Sequence, residues 1–415
     1  MASNHSITEP AAWDATTPQV PDAGPASFRD LAAATIEAFV TILGKRTQYL
    51  KTTQDSHISS TATALKKERE YRQRDAVING ITNLRLIATI PDRVTAAKYY
   101  TQSGIILGTV GVDDSHYRLL DLNGNGTGNY DRANGYDQVV QSVAYDQSTA
   151  SYLYVGIIDK IIQRVNGGVT TEVLNVAGSQ FYAIDCNTTG KCIAGGVNGS
   201  FYKSTDGGAS WSSATSPASS ETIVDIRYFS GLWILTTTAG RLFTSPDGDT
   251  WTQRIIGASD FLYQSTLRCS NLGYYTIDGG SVNGLRWNWS SNGVAWSSGV
   301  SRSVSIVPFP TSYGMDDIKW AATYNQIIAL VPTGPSYDYD LNAYIIYPPD
   351  ANYPASFFND AEVQKLMTMT STQYPAFACV VDTGELVFGI ADTNDNTTKI
   401  YATAVLQTSK TNLPL

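Results

Sequence analysis

The sequence predicts a mainly β chain in which a large strand-rich domain follows an extended arm and a short helical segment. Three observations carry that expectation. Charged residues make up only 16% of the 415 residues, while 25 Tyr, 34 Gly and 16 Pro supply the aromatic and turn-forming content of many short strands. Strand-like runs bounded by turn residues recur from about residue 81 to the end. A short turn motif ending in Trp recurs too, its indoles 40 and then 45 residues apart. A repeat of about 40–50 residues holding several short strands is the signature of a propeller blade.

Residues 1–26 form the arm. Pro10, Pro18, Pro21 and Pro25 exclude helix and central strand there, and Trp13 stands out as an anchoring residue for another surface. Residues 27–80 are the helical segment. Leu31, Ile36, Phe39, Val40, Leu43 and Leu50 recur at helical steps, and a second helix is expected from Asp55 or Ser56 through Ala62, Leu65 and Ala76. Two helices bury too little apolar surface to stand alone, so this segment is expected to oligomerise. Three copies are the expected number, although no residue distinguishes a trimer from a dimer.

Residues 81–415 form the β-propeller, with about seven four-stranded blades expected at roughly 45 residues each. Strand-like runs include Gly104–Thr109, Tyr152–Ile158, Phe181–Ala194, Leu232–Thr237, Gly273–Ile277, Gln326–Val331 and Ala376–Ile390. Six or eight blades fit as well, because a long insertion follows Asp338. Leu84–Ile90 and Ile400–Leu406 lie at opposite ends of this domain and are expected to complete one blade together, leaving no free edge.

The recurring turn reads Ser204-Thr-Asp206-Gly-Gly208-Ala-Ser-Trp211, then Ser245-Pro-Asp247-Gly248-Asp-Thr-Trp251, then Ser290-Ser-Asn292-Gly293-Val-Ala-Trp296. Asp or Asn before Gly makes a tight turn whose side chain caps backbone N–H groups, and Trp is expected to fill space between neighbouring sheets. The motif resembles the Asp-box, or bacterial neuraminidase repeat, of sialidase-like propellers. The first copy fits that pattern in full. The other two lack one residue between the acid and Trp, and the third carries Asn for Asp. The resemblance implies a propeller fold with the boxes on outer hairpins, away from a catalytic face. It implies no activity here, because the arginine-bearing motif of that family is missing and the domain's four glutamates, Glu172, Glu221, Glu362 and Glu385, lie in no catalytic pattern.

Other candidate sites are sparse. His5, His57 and His116 are scattered over different regions, and no catalytic residue is assigned. Asp121, Asn123 and Asn125 alternate as oxygen ligands do in a calcium loop, with Gly126 at the sixth position, but Arg132 replaces the closing Glu. A structural calcium is the one cofactor candidate; a polar turn is the simpler account. Tyr337, Tyr339, Tyr344, Tyr347 and Tyr353, with Trp287, are candidate binding aromatics for a sugar or protein surface. Trp233 and Trp320 are expected in the core.

Charge and targeting signals narrow the partners. The net charge is −9, which argues against nucleic acid, and no run of 18 apolar residues suggests a membrane span. The first residues carry no secretory signal. Cys186 and Cys192 flank a short turn and could face each other, but a chain made in a cytosol is expected to keep them reduced. An arm, an oligomerising helix and a display domain, in that order, resemble a phage tail or head fibre. The expectation is a non-enzymatic virion appendage, held to other virion proteins through residues 1–80 and presenting the propeller to a host-surface glycan or protein. A glycan hydrolase and a bacterial scaffold propeller are the alternatives.

Overall fold

A computed structural model describes residues 36–54, 56, 84–110, 116–120, 126–131, 139–156, 160–178, 180–255, 261–269, 273–280, 284–296, 300–301, 318–322, 327–333, 338–346, 362–382 and 384–405. The chain divides into two compact units, 1–73 and 74–415.

In the first unit, residues 36–54 are helical, as the apolar stripe predicts. Four threonines turn their hydroxyls onto the preceding turn: Thr41, Thr47, Thr52 and Thr53 each donate to the carbonyl four residues earlier at 2.9 Å. That bond satisfies a hydroxyl group which would otherwise compete with the helix. The expected second helix and the arm with Trp13 lie outside the described residues.

The second unit is a β-propeller. Among its described residues the strands form seven four-stranded sheets, and every pairing is antiparallel. Their inner strands, numbered here as sheets 1 to 7, are Arg93–Tyr100, Val140–Asp146, Phe181–Cys186, Ile223–Phe229, Phe261–Cys269, Lys319–Ala322 and Gln373–Val380. Each inner strand packs beside the next, and that of sheet 7 returns to that of sheet 1, so the ring is closed. The expected runs Phe181–Ala194 and Ala376–Ile390 each resolve into two strands joined by a turn.

Closure uses both ends of the domain, as the terminal strands suggested. Arg85–Ile90 is the outermost strand of sheet 7 and pairs with Thr397–Val405, from Arg85 opposite Ala402 to Ile90 opposite Thr398. A segment from the other end of the domain thereby supplies the last strand, and the Arg85 guanidinium donates to Glu385, 300 residues on, at 3.0 Å.

One irregularity repeats. Six of the seven inner strands shift register near their start, at Val94/Ala96, Val140/Ser142, Phe181/Ala183, Ile223/Asp225, Phe261/Gln264 and Pro375/Phe377. A bulge increases local twist, and its recurrence at one place tilts each sheet toward its neighbour. In sheets 2 and 4 the residue before the bulge packs over a glycine of the preceding sheet. A Cβ on Gly108 would lie 2.4 Å from Val140, and one on Gly195 would lie 2.7 Å from Ile223. Apolar clusters fill the seams between sheets, with Ile105, Leu107, Leu153, Ile184, Trp233, Leu235 and Phe388 fully buried.

Candidate functional site

The three Trp hairpins are built alike. Each joins the third and fourth strands of its sheet, in sheets 3, 4 and 5. In the first, Ser204 Oγ donates to Asp206 Oδ1 at 2.7 Å, and Gly208 N donates to Ser204 Oγ at 2.9 Å. Ser210 N donates to Asp206 at 2.9 Å, and the Trp211 indole N–H closes the turn on Gly208 O at 3.0 Å. The second copy repeats this with Ser245, Asp247, Gly248, Thr250 and Trp251. In the third copy Asn292 Oδ1 accepts from Ala295 N at 3.0 Å, and Trp296 donates to Gly293 O at 2.9 Å.

The length difference between copies is absorbed ahead of the capping glycine. Gly208, Gly248 and Gly293 each stand three residues before Trp, all with positive φ (80°, 75° and 73°), while Gly207 is the extra residue of the first copy. The positive φ is why glycine is needed there.

Each hairpin staples its sheet to the one before it. A Cβ on Gly208 would meet Leu153 of sheet 2, and one on Gly293 would meet Leu232 of sheet 4. Lys191, in the first turn of sheet 3, donates to Asp247 O and pairs with Asp249 of the second hairpin, as Lys203 does. Trp211, Trp251 and Trp296 are half-buried against the seams between sheets 2 and 3, 3 and 4, and 4 and 5. The carboxylates are held low. Burial is the largest single influence on Asp206 and raises its pKa, but the hydrogen bonds from Ser210 and Ser204 together outweigh it and hold the carboxyl at about 2. The Thr250 and Asp249 backbone N–H groups, with Ser245, hold Asp247 well below the carboxylate range.

Sequence reasoning missed a second polar constellation on the inner strands. Asp185 of sheet 3 accepts from Tyr100 OH of sheet 1 at 2.9 Å and from Tyr228 N of sheet 4 at 2.8 Å. Lys98, also of sheet 1, donates to Ile184 O at 2.7 Å and stands 3.7 Å from Asp185. Asp225 accepts from Arg227 Nε at 3.1 Å and from Thr266 N of sheet 5 at 2.9 Å. Burial pushes the Lys98 ammonium down to about 8, partly offset by Asp185. The residues are scattered in sequence and only the closed ring brings them together. Asp185 and Asp225 are thus spent on tying sheets to one another.

The remaining candidates fare differently. Tyr344 is buried at 7% exposure, in a strand whose Leu341 and Ala343 are buried as well, so it is a core residue and not a binding one. Tyr339 and Trp287 lie on strands, but their side chains are outside the described residues, as are Tyr337, Tyr347 and Tyr353. Asp121, Asn123 and Asn125 are also outside them; they connect the third and fourth strands of sheet 1, where sheets 3 to 5 carry their Trp hairpins. Trp233 is fully buried, as expected, whereas Trp320 is half-buried. The cysteine expectation is corrected. Cys186 and Cys192 face each other across the first turn of sheet 3, 4.1 Å apart at Cα, and form a disulfide.

No family model matches this chain, and no curated protein does. Solved structures do resemble it. The WD40 repeats of RRP9 superpose with a TM-score of 0.53 at 9% identity, over 78% of this chain and 97% of that one. U3-55K gives 0.53 at 10% identity, over 78% and 98%. The β-propeller domain of Cps50 (Swd1) from Myceliophteria thermophila gives 0.52 at 11% identity, over 77% and 99%. At these identities the likeness concerns the fold alone, and the fold is a β-propeller.

Proposed function

We propose that the protein is a non-enzymatic, multivalent attachment module: the helical segment gathers several chains, and each propeller presents one rigid binding surface. The setting assigned is a virion appendage of fibre type, docked through residues 1–80, with a host-surface glycan or protein as target. The observation that carries this reading is the helix at 36–54. Ile36, Phe39, Val40 and Leu50 are each more than half exposed, an apolar stripe on a helix of the kind that gains most of its stability only when that face is packed. Covering it with copies of the same helix removes that surface from water at about 25 cal/mol per Å². The Cys186–Cys192 disulfide also suits a protein that works on a particle or cell surface, where disulfides persist.

Mass analysis in solution tests the reading. The full chain is expected to be oligomeric, with three copies as the specific expectation, and a chain lacking residues 1–80 to be monomeric. A monomeric full-length protein would overturn it.

A further inference from the structure

The seams of the propeller are not alike. Between sheets 3 and 4 the buried apolar cluster includes Ile193, Ile223, Ile226, Trp233, Leu235 and Phe243. Between sheets 4 and 5 the buried apolar residues described are only Ile234, Leu242 and Tyr274. Among the described residues that second seam also carries a polar stripe, and it can be followed residue by residue. Thr236 lies opposite Asp225 in sheet 4. Asp225 accepts from Thr266 N across the seam. Thr266 lies opposite Thr276, and Thr276 opposite Asn288, within sheet 5.

This stripe is buried and underbonded. Thr236, Thr266, Thr276 and Asn288 are all at most 4% exposed. Asn288 Nδ2 donates to Thr276 Oγ1 at 3.2 Å. Among the described residues, however, Thr236 Oγ1, Thr266 Oγ1 and Asn288 Oδ1 have no hydrogen-bond partner. Three orphans on one stripe are more than a folded interior tolerates, because each unmade bond costs free energy and buried polar atoms are nearly always paired.

We infer that the seam between sheets 4 and 5 is a binding site for ordered water. The chemistry of the donor set fits water and little else. Two hydroxyls can each donate or accept, and one amide oxygen accepts only, so one or two water molecules bridging them satisfy all three with the usual two to four bonds apiece. A cation would want carboxylates, and Asp225 is already paired with Arg227 at 3.1 Å.

The test is the sign of an isosteric substitution. Thr266→Val keeps the volume and removes one hydroxyl. If the seam is dry, the variant sheds an unpaired polar atom and its melting temperature stays level or rises. If water bridges the stripe, the variant leaves that water short of a partner, and the melting temperature is expected to fall by about 1–3 °C. Thr236→Val is expected to behave likewise, and a crystal structure at high resolution should show solvent density within hydrogen-bond distance of Thr266 Oγ1 and Asn288 Oδ1. A level or raised melting temperature for both variants, or a seam free of solvent density, would overturn the inference.

Discussion

The acid of the second Trp hairpin gives a quantitative test of how these turns work. Asp247 accepts from Ser245 Oγ at 2.8 Å, Asp249 N at 2.8 Å and Thr250 N at 2.7 Å. Asp247→Ala removes all three. At about 1 kcal/mol per bond, reduced because the freed N–H groups reach water, the loss is about 2 kcal/mol. Unfolding a domain of this size carries an entropy on the order of 0.7 kcal/mol per degree, so the melting temperature should drop by about 3 °C. Asp247→Asn is the control that the protein already contains. Asn292 holds the same place in the third hairpin and accepts from Ser290 Oγ, Val294 N and Ala295 N at 3.2, 2.8 and 3.0 Å. The Asn variant should therefore lose less than half as much at pH 7. What it does lose comes from charge. The folded Asp247 pKa is depressed, so that part is present above the unfolded value near pH 4 and disappears as pH falls below it. Calorimetry of wild type and both variants at pH 7 and pH 3 checks this. An Ala variant as stable as wild type, or an Asn variant as damaged as Ala, would refute the capping account.

Two further predictions concern groups deeper in the ring. Lys98 has a folded pKa of about 8 against a usual 10.5, so the unfolded chain binds the extra proton between those values. Wild-type stability measured against Lys98→Met should accordingly rise from pH 8 to pH 10.5; a constant difference would contradict it. The Cys186–Cys192 bond closes a loop with a sequence separation of 6, worth about 2 kcal/mol, so reductant should lower the melting temperature by about 3 °C. Denatured without reductant, Cys186 and Cys192 should resist alkylation while Cys379 reacts, and labelling of all three would exclude the bridge.

What was legible in the sequence was local. The hairpins could be read because Ser, acid, Gly and Trp lie within eight residues and their bonds stay within the turn. The exposed helical stripe could be read because a 3.6-residue period needs no partner to be visible. The terminal strands were paired correctly by an argument about edges, which concerns topology rather than side chains. The failures were non-local. Nothing in the spacing of Lys98, Asp185 and Asp225 shows that a ring brings them together. Tyr344 was misread because it is buried although Asn342 and Asp340, two and four residues before it, are only half-buried, so alternation along the strand does not mark it as inward. Cys186 and Cys192 were placed correctly opposite each other, and only the assumed compartment gave the wrong redox state.

The distribution of bonds bears on how the molecule could bind. Around the Trp hairpins one side of the ring is stapled repeatedly, within a sheet and across to the next: Gly207 N donates to Gly190 O inside sheet 3, Arg164 Nε of sheet 2 to Gly207 O, Lys191 of sheet 3 to Asp247 O of sheet 4, and the disulfide closes the turn that holds Gly190 and Lys191. A surface fixed in this way loses little conformational entropy when a partner docks, so even a small contact area keeps more of its interaction energy. Weak contacts on such a surface become useful when copies are held together, because the second binding event proceeds at an effective concentration set by the tether and not by the solution. Rigid hairpins and a sticky helix are therefore two parts of one argument. The propeller limits what each contact loses, and the helix, if it gathers chains as proposed, multiplies what each contact yields.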